Sequence, residues 1–174
     1  MKQVITVLFF MMLSTFLLPG CHHADNNYRP APATGAASIA VTNIEIRPNP
    51  YHLWPASNYK AGEYTVVVTV TNTGTAACTS SLFFTLKTIK ADDHGNFNAP
   101  EKGIGGATLT DAILPHETKY VVIPIDGWLT NATAQGDFNS VTGTYKTRLS
   151  LNANDPVNIN QSIPETLFQV INGG

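Results

Sequence analysis

The side chains able to do chemistry are scattered along this 174-residue chain rather than gathered into motifs. Its five histidines are His22, His23, His52, His94 and His116. His22 and His23 are adjacent and lack a third ligand, so they do not make a specific transition-metal site. Asp92-Asp93-His94-Gly95-Asn96 sets oxygen ligands around a glycine, which raises the question of calcium. The spacing of a helix-loop-helix calcium loop and its closing bidentate Glu are missing, so a solvated tip built from Asx turns is the expected structure. Asp155, Asn158 and Asn160 form a second, weaker cluster with the same turn reading. There is no GxSxG, HExxH, Walker loop, CxxC or dinucleotide-type glycine fingerprint. No catalytic residue, metal or cofactor is therefore expected, and an enzyme ranks last among the functional readings. Aromatic residues outside the strands are the remaining lead. Tyr51, Trp54 and Tyr59 lie in a Pro-rich connection, and Trp128 lies in a later loop. Such rings stack on sugars or anchor a protein partner. They also plug the ends of a core, because a Trp usually finds substantial burial. Tyr51, Trp54 and Trp128 are the candidate ligand-contacting residues.

Cys21 has the most definite chemistry. Lys2 is followed by Val4 to Leu18, about 15 nearly unbroken apolar residues, the layout of a secretory signal. That run is shorter than the roughly 20 residues that span a bilayer comfortably. It ends at Leu18-Pro19-Gly20-Cys21, which resembles the bacterial lipobox. The resemblance implies a diacylglycerol on the thiol, cleavage after the small Gly20, and Cys21 as the mature N-terminus. A cleaved signal without lipid, or an N-terminal membrane helix, is the competing reading. His22 rather than Asp follows the cysteine, so the usual inner-membrane retention signal is missing. In a host with two membranes the expected location is the outer one, facing the periplasm or the surface.

Composition narrows the rest. Lys2 is the one charge before Cys21, so residues 21–174 carry nine basic and twelve acidic groups, a formal net of −3. Nucleic-acid binding normally needs a basic stripe, and none is present. With Cys21 committed to lipid, Cys78 has no partner for an intramolecular disulfide. Between Ala77 and Thr79 it reads as a small buried hydrophobe rather than a nucleophile.

These residues must be positioned by β-structure. Residues 1–20 are the expected signal peptide, and residues 21–37, polar and Pro-rich, the expected flexible tether. Residues 38–172 are the expected domain. Ser38 to Ile46 alternates but slips phase near Asn43, which predicts a bulge. Arg47 to Gly62 holds three prolines and reads as a long connection. Glu63 to Asn72 is the clearest strand: Tyr64, Val66, Val68 and Val70 share one face. Asn72-Thr73-Gly74 supplies turn chemistry. Leu82, Phe84 and Leu86 are in phase in the next strand. Ala91 to Gly106 reads as a long loop or hairpin tip, with a weak strand from Ala107 to Thr110. In Thr118 to Ile125, Pro124 marks an edge or strand end. Asp126 to Val141 reads as loop. Tyr145, Thr147, Leu149 and Leu151 point inward from the strand at Gly143 to Asn152, and Phe168 and Val170 from a closing strand. About seven strands without helical period predict an all-β fold, an immunoglobulin-like two-sheet antiparallel sandwich.

Three passages resemble the immunoglobulin-like modules of bacterial surface proteins, most nearly the adhesion-related CARDB type. They are VVVTVTNTGTAA at Val66 to Ala77, LPHETKYVVIPI at Leu114 to Ile125 and GTYKTRLSLNANDPVN at Gly143 to Asn158. The Glu-x-Asn-Asn ending of such modules is missing, and Lys90 to Gly106 is longer than usual. In such sandwiches a Tyr at the position of Tyr145 bonds backbone through its hydroxyl and locks a corner.

The resulting expectation is a lipid-anchored, non-enzymatic binding or adhesion-type module, held to a membrane by its lipid and meeting an envelope protein or a glycan. One alternative is an accessory lipoprotein of an envelope assembly or secretion machine that docks by strand addition. Another is a carbohydrate-binding module using the loop aromatics.

Overall fold

The computed structural model describes residues 35–53, 63–129 and 141–172. The expected signal peptide, Cys21, most of the expected tether and Trp54 lie outside these residues. Among the described residues there are nine strands: β1 (Ser38–Arg47), β2 (Tyr51–Leu53), β3 (Thr65–Asn72), β4 (Leu82–Lys90), β5 (Lys102–Leu109), β6 (Thr118–Pro124), β7 (Gly143–Ala153), β8 (Asn158–Ile159) and β9 (Leu167–Asn172). They form two sheets, ordered β6-β3-β1-β8 and β2-β9-β7-β4-β5. The fold is all-β, an immunoglobulin-like sandwich, as expected. Two features differ from the expectation. The strands number nine rather than about seven, and β1–β8 and β2–β9 pair in parallel. Both extra strands are only two or three residues long and lie at sheet edges.

The alternation read from the sequence builds the core. Val66, Val68 and Val70 of β3, Leu82, Phe84 and Leu86 of β4, Leu149 and Leu151 of β7, and Phe168 and Val170 of β9 are all buried. The phase slip near Asn43 is a register shift between Val41 and Asn43. The long connection after β1 passes cis bonds at Arg47–Pro48 and Asn49–Pro50 and then contributes β2, which the prolines had argued against. Residues 126–129, expected as loop, are helical.

Residues 102–106, also expected as loop, begin β5. Its Gly105 sits where the two sheets approach. A Cβ on Gly105 would come within 2.8 Å of Pro124 O and 2.9 Å of Ile123 Cγ2. The ladder is irregular between Leu86 and Lys87, opposite Gly105 and Gly103, and Ile104 between them turns into the core.

One end of the sandwich is sealed by aromatic rings. Tyr51 packs edge-on against Tyr64 and Phe168, and Trp128 edge-on against Tyr145, each at 5.3–5.4 Å, while Tyr145 stacks on Phe168. The phenols are buried but bonded: Tyr51 to Thr65 O, Tyr64 to His52 O and Tyr145 to Val141 O at 2.6 Å. Burial pushes the Tyr145 hydroxyl up to about 12 and raises that of Tyr51 further. The opposite end is organised by Asn72. Its Nδ2 donates to Ala76 O and Ile113 O, and its Oδ1 accepts from Ser38 N and Gly74 N. Gly74 is required there, since a Cβ would run into Ala36 and Ser38 as the chain passes over it.

Candidate functional site

The residues singled out from the sequence do not converge. Tyr51 is fully buried and Trp128 is 9% exposed, so neither ring offers a face to a ligand. The expectation of ligand contact is corrected for both: they sit where the two sheets meet at one end, and the apolar area of a ring is more stable filling that end than facing water. Trp54 and Cys21 lie outside the described residues, as do His22 and His23. Asp92 caps its own turn, accepting from the His94 and Asn96 amides at 2.9 and 2.8 Å. Those bonds, that of Asn96 first, hold its carboxyl below the usual value. The Asp155 amide donates to Ser80, Asn158 lies in β8, and Asn160 caps Ser162. Among the described residues, no three His, Cys, Asp or Glu side chains are grouped to hold a metal ion. Cys78 is buried, bridges Ile113 through its main chain and leans on Ser80 O.

The two outer faces differ in chemistry. On the five-stranded sheet, Glu165 pairs with Lys146 and Arg148, and Glu101 with Lys87, while Lys146 covers Phe97. These are surface pairs, half-buried to exposed, each worth about 0–1 kcal/mol. The four-stranded sheet carries Tyr120 and Val122, 70% and 54% exposed, with threonines beside them. Tyr120 is opposite Thr69, Thr118 opposite Thr71, and Val122 opposite Val67.

The main chain of Tyr120 and Val122 also faces away from the neighbouring strand. The Ile125 amide donates to Tyr64 O and the Asn72 amide to Glu117 O. Hydrogen-bonded pairs recur every second residue in an antiparallel ladder, so Lys119, Val121 and Ile123 bond to β3. The main-chain groups of Tyr120 and Val122 therefore point off the sheet, and β6 is its edge strand. Pro124 shares their parity, so its missing N–H costs the ladder nothing, which explains a proline in this strand. The sequence marked β6 as an edge through Pro124 but not Tyr120 and Val122 as a surface. The signal was available: in KYVVI every residue but the lysine is apolar or aromatic, and two must face out.

No known family model matches the sequence, and no curated protein is similar to it at a significant level. Among solved structures, the chain is similar to a β-D-glucoside glucohydrolase from Trichoderma reesei, at 12% identity and a TM-score of 0.45. That match covers 78% of this chain and 19% of that one. It is also similar to a β-glucosidase from Erythrobacter marinus, at 13% identity and a TM-score of 0.46, over 78% of this chain and 16% of that one. A β-glucosidase from Streptomyces venezuelae matches at 12% identity and a TM-score of 0.42, over 78% and 15%. The chain thus spans less than one fifth of these relatives' length.

Proposed function

We propose that this chain is a lipid-anchored, non-enzymatic module of the bacterial cell envelope that docks a protein partner by strand addition at β6. The observation that carries the docking is that Tyr120 and Val122 expose their side chains while their main-chain groups point away from β3 on an edge strand. Main-chain bonds to an open edge give affinity, and side chains in alternate positions give specificity. Proteins usually blunt long exposed edges. Two of the four edges end in strands of two or three residues; of the two long edges, β5 and β6, β6 runs seven residues with an aromatic and a branched side chain outward. The anchor rests on the signal pattern ending at Cys21, and the outer membrane is the location that His22 favours in a two-membrane host.

Val122→Pro tests the docking. It removes an N–H that points away from β3 and leaves the β3 ladder intact, so the fold survives while docking is lost. Photo-crosslinking from position 120 in cells should give a discrete partner adduct that Val122→Pro abolishes. An adduct unaffected by Val122→Pro would overturn strand addition. Mass spectrometry of the membrane fraction tests the anchor, which an unacylated Cys21 would overturn. A glycan reading keeps Tyr120 as its exposed ring; glycan-array binding lost in Tyr120→Ala but kept in Val122→Pro would favour it instead.

A further inference from the structure

A second open edge lies inside the five-stranded sheet. β7 is paired with β4 along its length, from Tyr145 opposite Lys90 to Ala153 opposite Leu82. Its other side is paired with β9 only from Gly143 to Lys146. The parity of the bonds is fixed at both sides. The Asn154 amide donates to Ser81 O and the Ala91 amide to Thr144 O, so even-numbered residues of β7 bond to β4. The Thr147 amide donates to Thr166 O at 2.9 Å, so odd-numbered residues face β9. Beyond Thr147 the facing chain turns away. Pro164 has no N–H, the Ile163 amide is used by Gln161 O, and the Asn160 amide bonds to Ile39 O in the other sheet. The N–H and C=O of Leu149 and Leu151 are thus aimed at this gap, and no described main-chain group bonds to them.

The gap is a half-open groove of about 540 Å³ between residues 148–152 of β7 and residues 161–165. That is within the roughly 300–1,000 Å³ of ordinary ligand sites. What it presents is a donor and an acceptor at Leu149, then the same pair two residues later at Leu151. An extended polypeptide main chain matches that repeat, since its own donor–acceptor pairs recur at the same two-residue spacing.

We propose that this groove receives an extended segment of a partner polypeptide as a short added strand beside β7. The register defines the segment. Residues opposite Leu149 and Leu151 point inward beside Ile163, which packs against the core, so they are small and apolar. The residue between them points outward, beside Ser150 and the Arg148–Glu165 ion pair, and is polar. The recognised pattern is small apolar, polar, small apolar. This site is separate from β6, and its test is independent of that reading.

Amide hydrogen exchange read by NMR on the full chain in mild detergent tests it. Ser150 and Asn152 bond to Thr85 and Phe83 and serve as the folding control. Leu149 and Leu151 should exchange on the order of 100-fold faster than these neighbours, as open main-chain groups do. A mixture of blocked heptapeptides alternating Thr with Ala or Val should then slow exchange at Leu149 and Leu151 and move their signals. The same peptides N-methylated at the bonding amides should not. The effect should persist in Val122→Pro, where β6 is blocked. Protection of Leu149 and Leu151 before peptide is added would overturn the proposal, because the edge would already be occupied. So would unmoved signals at millimolar peptide, equal effects from the N-methylated set, or changes confined to Tyr120 and Val122.

Discussion

Replacing Asn72 by Ala removes four hydrogen bonds from a side chain that is fully buried. Their loss is unequal. Ile113 O keeps the Cys78 amide at 2.9 Å, so it stays satisfied. The Gly74 amide is buried and loses its acceptor, which costs about 1–3 kcal/mol. Ser38 N and Ala76 O are partly buried and lose about 0.5–1.5 kcal/mol each. The sum is about 2–6 kcal/mol, centred near 4, toward the upper end for one substitution. In a domain of this size it lowers Tm by roughly 10–15 °C. Urea unfolding followed by circular dichroism measures it, with the exposed Asn43→Ala as a control expected within about 0.5 kcal/mol of the parent. The midpoint should fall while the slope stays constant, since the surface exposed on unfolding is unchanged. A loss under about 1 kcal/mol would refute the reasoning, because it would mean that the backbone ladder alone holds this end.

Three further outcomes are expected. Gly105→Val should destabilise by about 1–3 kcal/mol through its contact with Pro124 and Ile123, whereas Gly103→Val, which meets open space, should be nearly neutral; paired thermal melts compare them. Tyr145→Phe should cost about 1–3 kcal/mol by leaving Val141 O without its buried donor, read from the urea midpoint. The Leu114 amide, then Lys119, hold the Glu117 carboxyl below its usual value. Its folded pKa is thus below the unfolded one, so its contribution is complete above the unfolded value, about 4.3, and is lost as pH falls through the folded value. Glu117→Gln should flatten that part of a stability profile taken from pH 5 to pH 2.

The strands that the sequence made legible are those with one wet and one dry face. β3, β4 and β7 alternate because each is buried on one side, and the bulge at Asn43 disturbed that alternation visibly. β5 was obscured because glycines at 103, 105 and 106 weaken its strand signal, and Gly105 is there for the close approach at Pro124. β2 and β8 are too short to have a period, and they exist through the neighbours that pair with them. Tyr51 and Trp128 were read as loop aromatics because the sequence does not say which loops fold over the end of the core. Asn72 was legible as a turn residue through its bonds to Gly74 and Ala76, but its other two bonds join segments 34 and 41 residues away, which no local pattern encodes. The grooved edge of β7 was hidden for the same reason: the strand alternates cleanly, and only the departure of its neighbour opens it.

The open edges and the sealed end are at opposite poles of the sandwich. Tyr51, Trp128, Tyr145 and Phe168 close the pole where β3 begins and β7 begins. The open stretch of β6 starts beside Asn72, through the Thr71–Thr118 pair, and the open stretch of β7 ends beside Ser80 and Ser81. Residues 35–38 join the domain at that same pole, across the Asn72 bonds. Under the proposed anchor, the tether and the free edges therefore share one junction. This separates stability from binding. Tyr145→Phe acts at the sealed pole and should lower the melting temperature while leaving the crosslink from position 120 intact at 25 °C. Asn72→Ala loosens the start of β6 as well as the domain, so it should weaken that crosslink at temperatures where the protein is still folded. If both variants, compared at equal distance below their own melting temperatures, gave the same crosslink yield, the edge would not depend on the junction. The docking surface would then have to be placed elsewhere on the sheet.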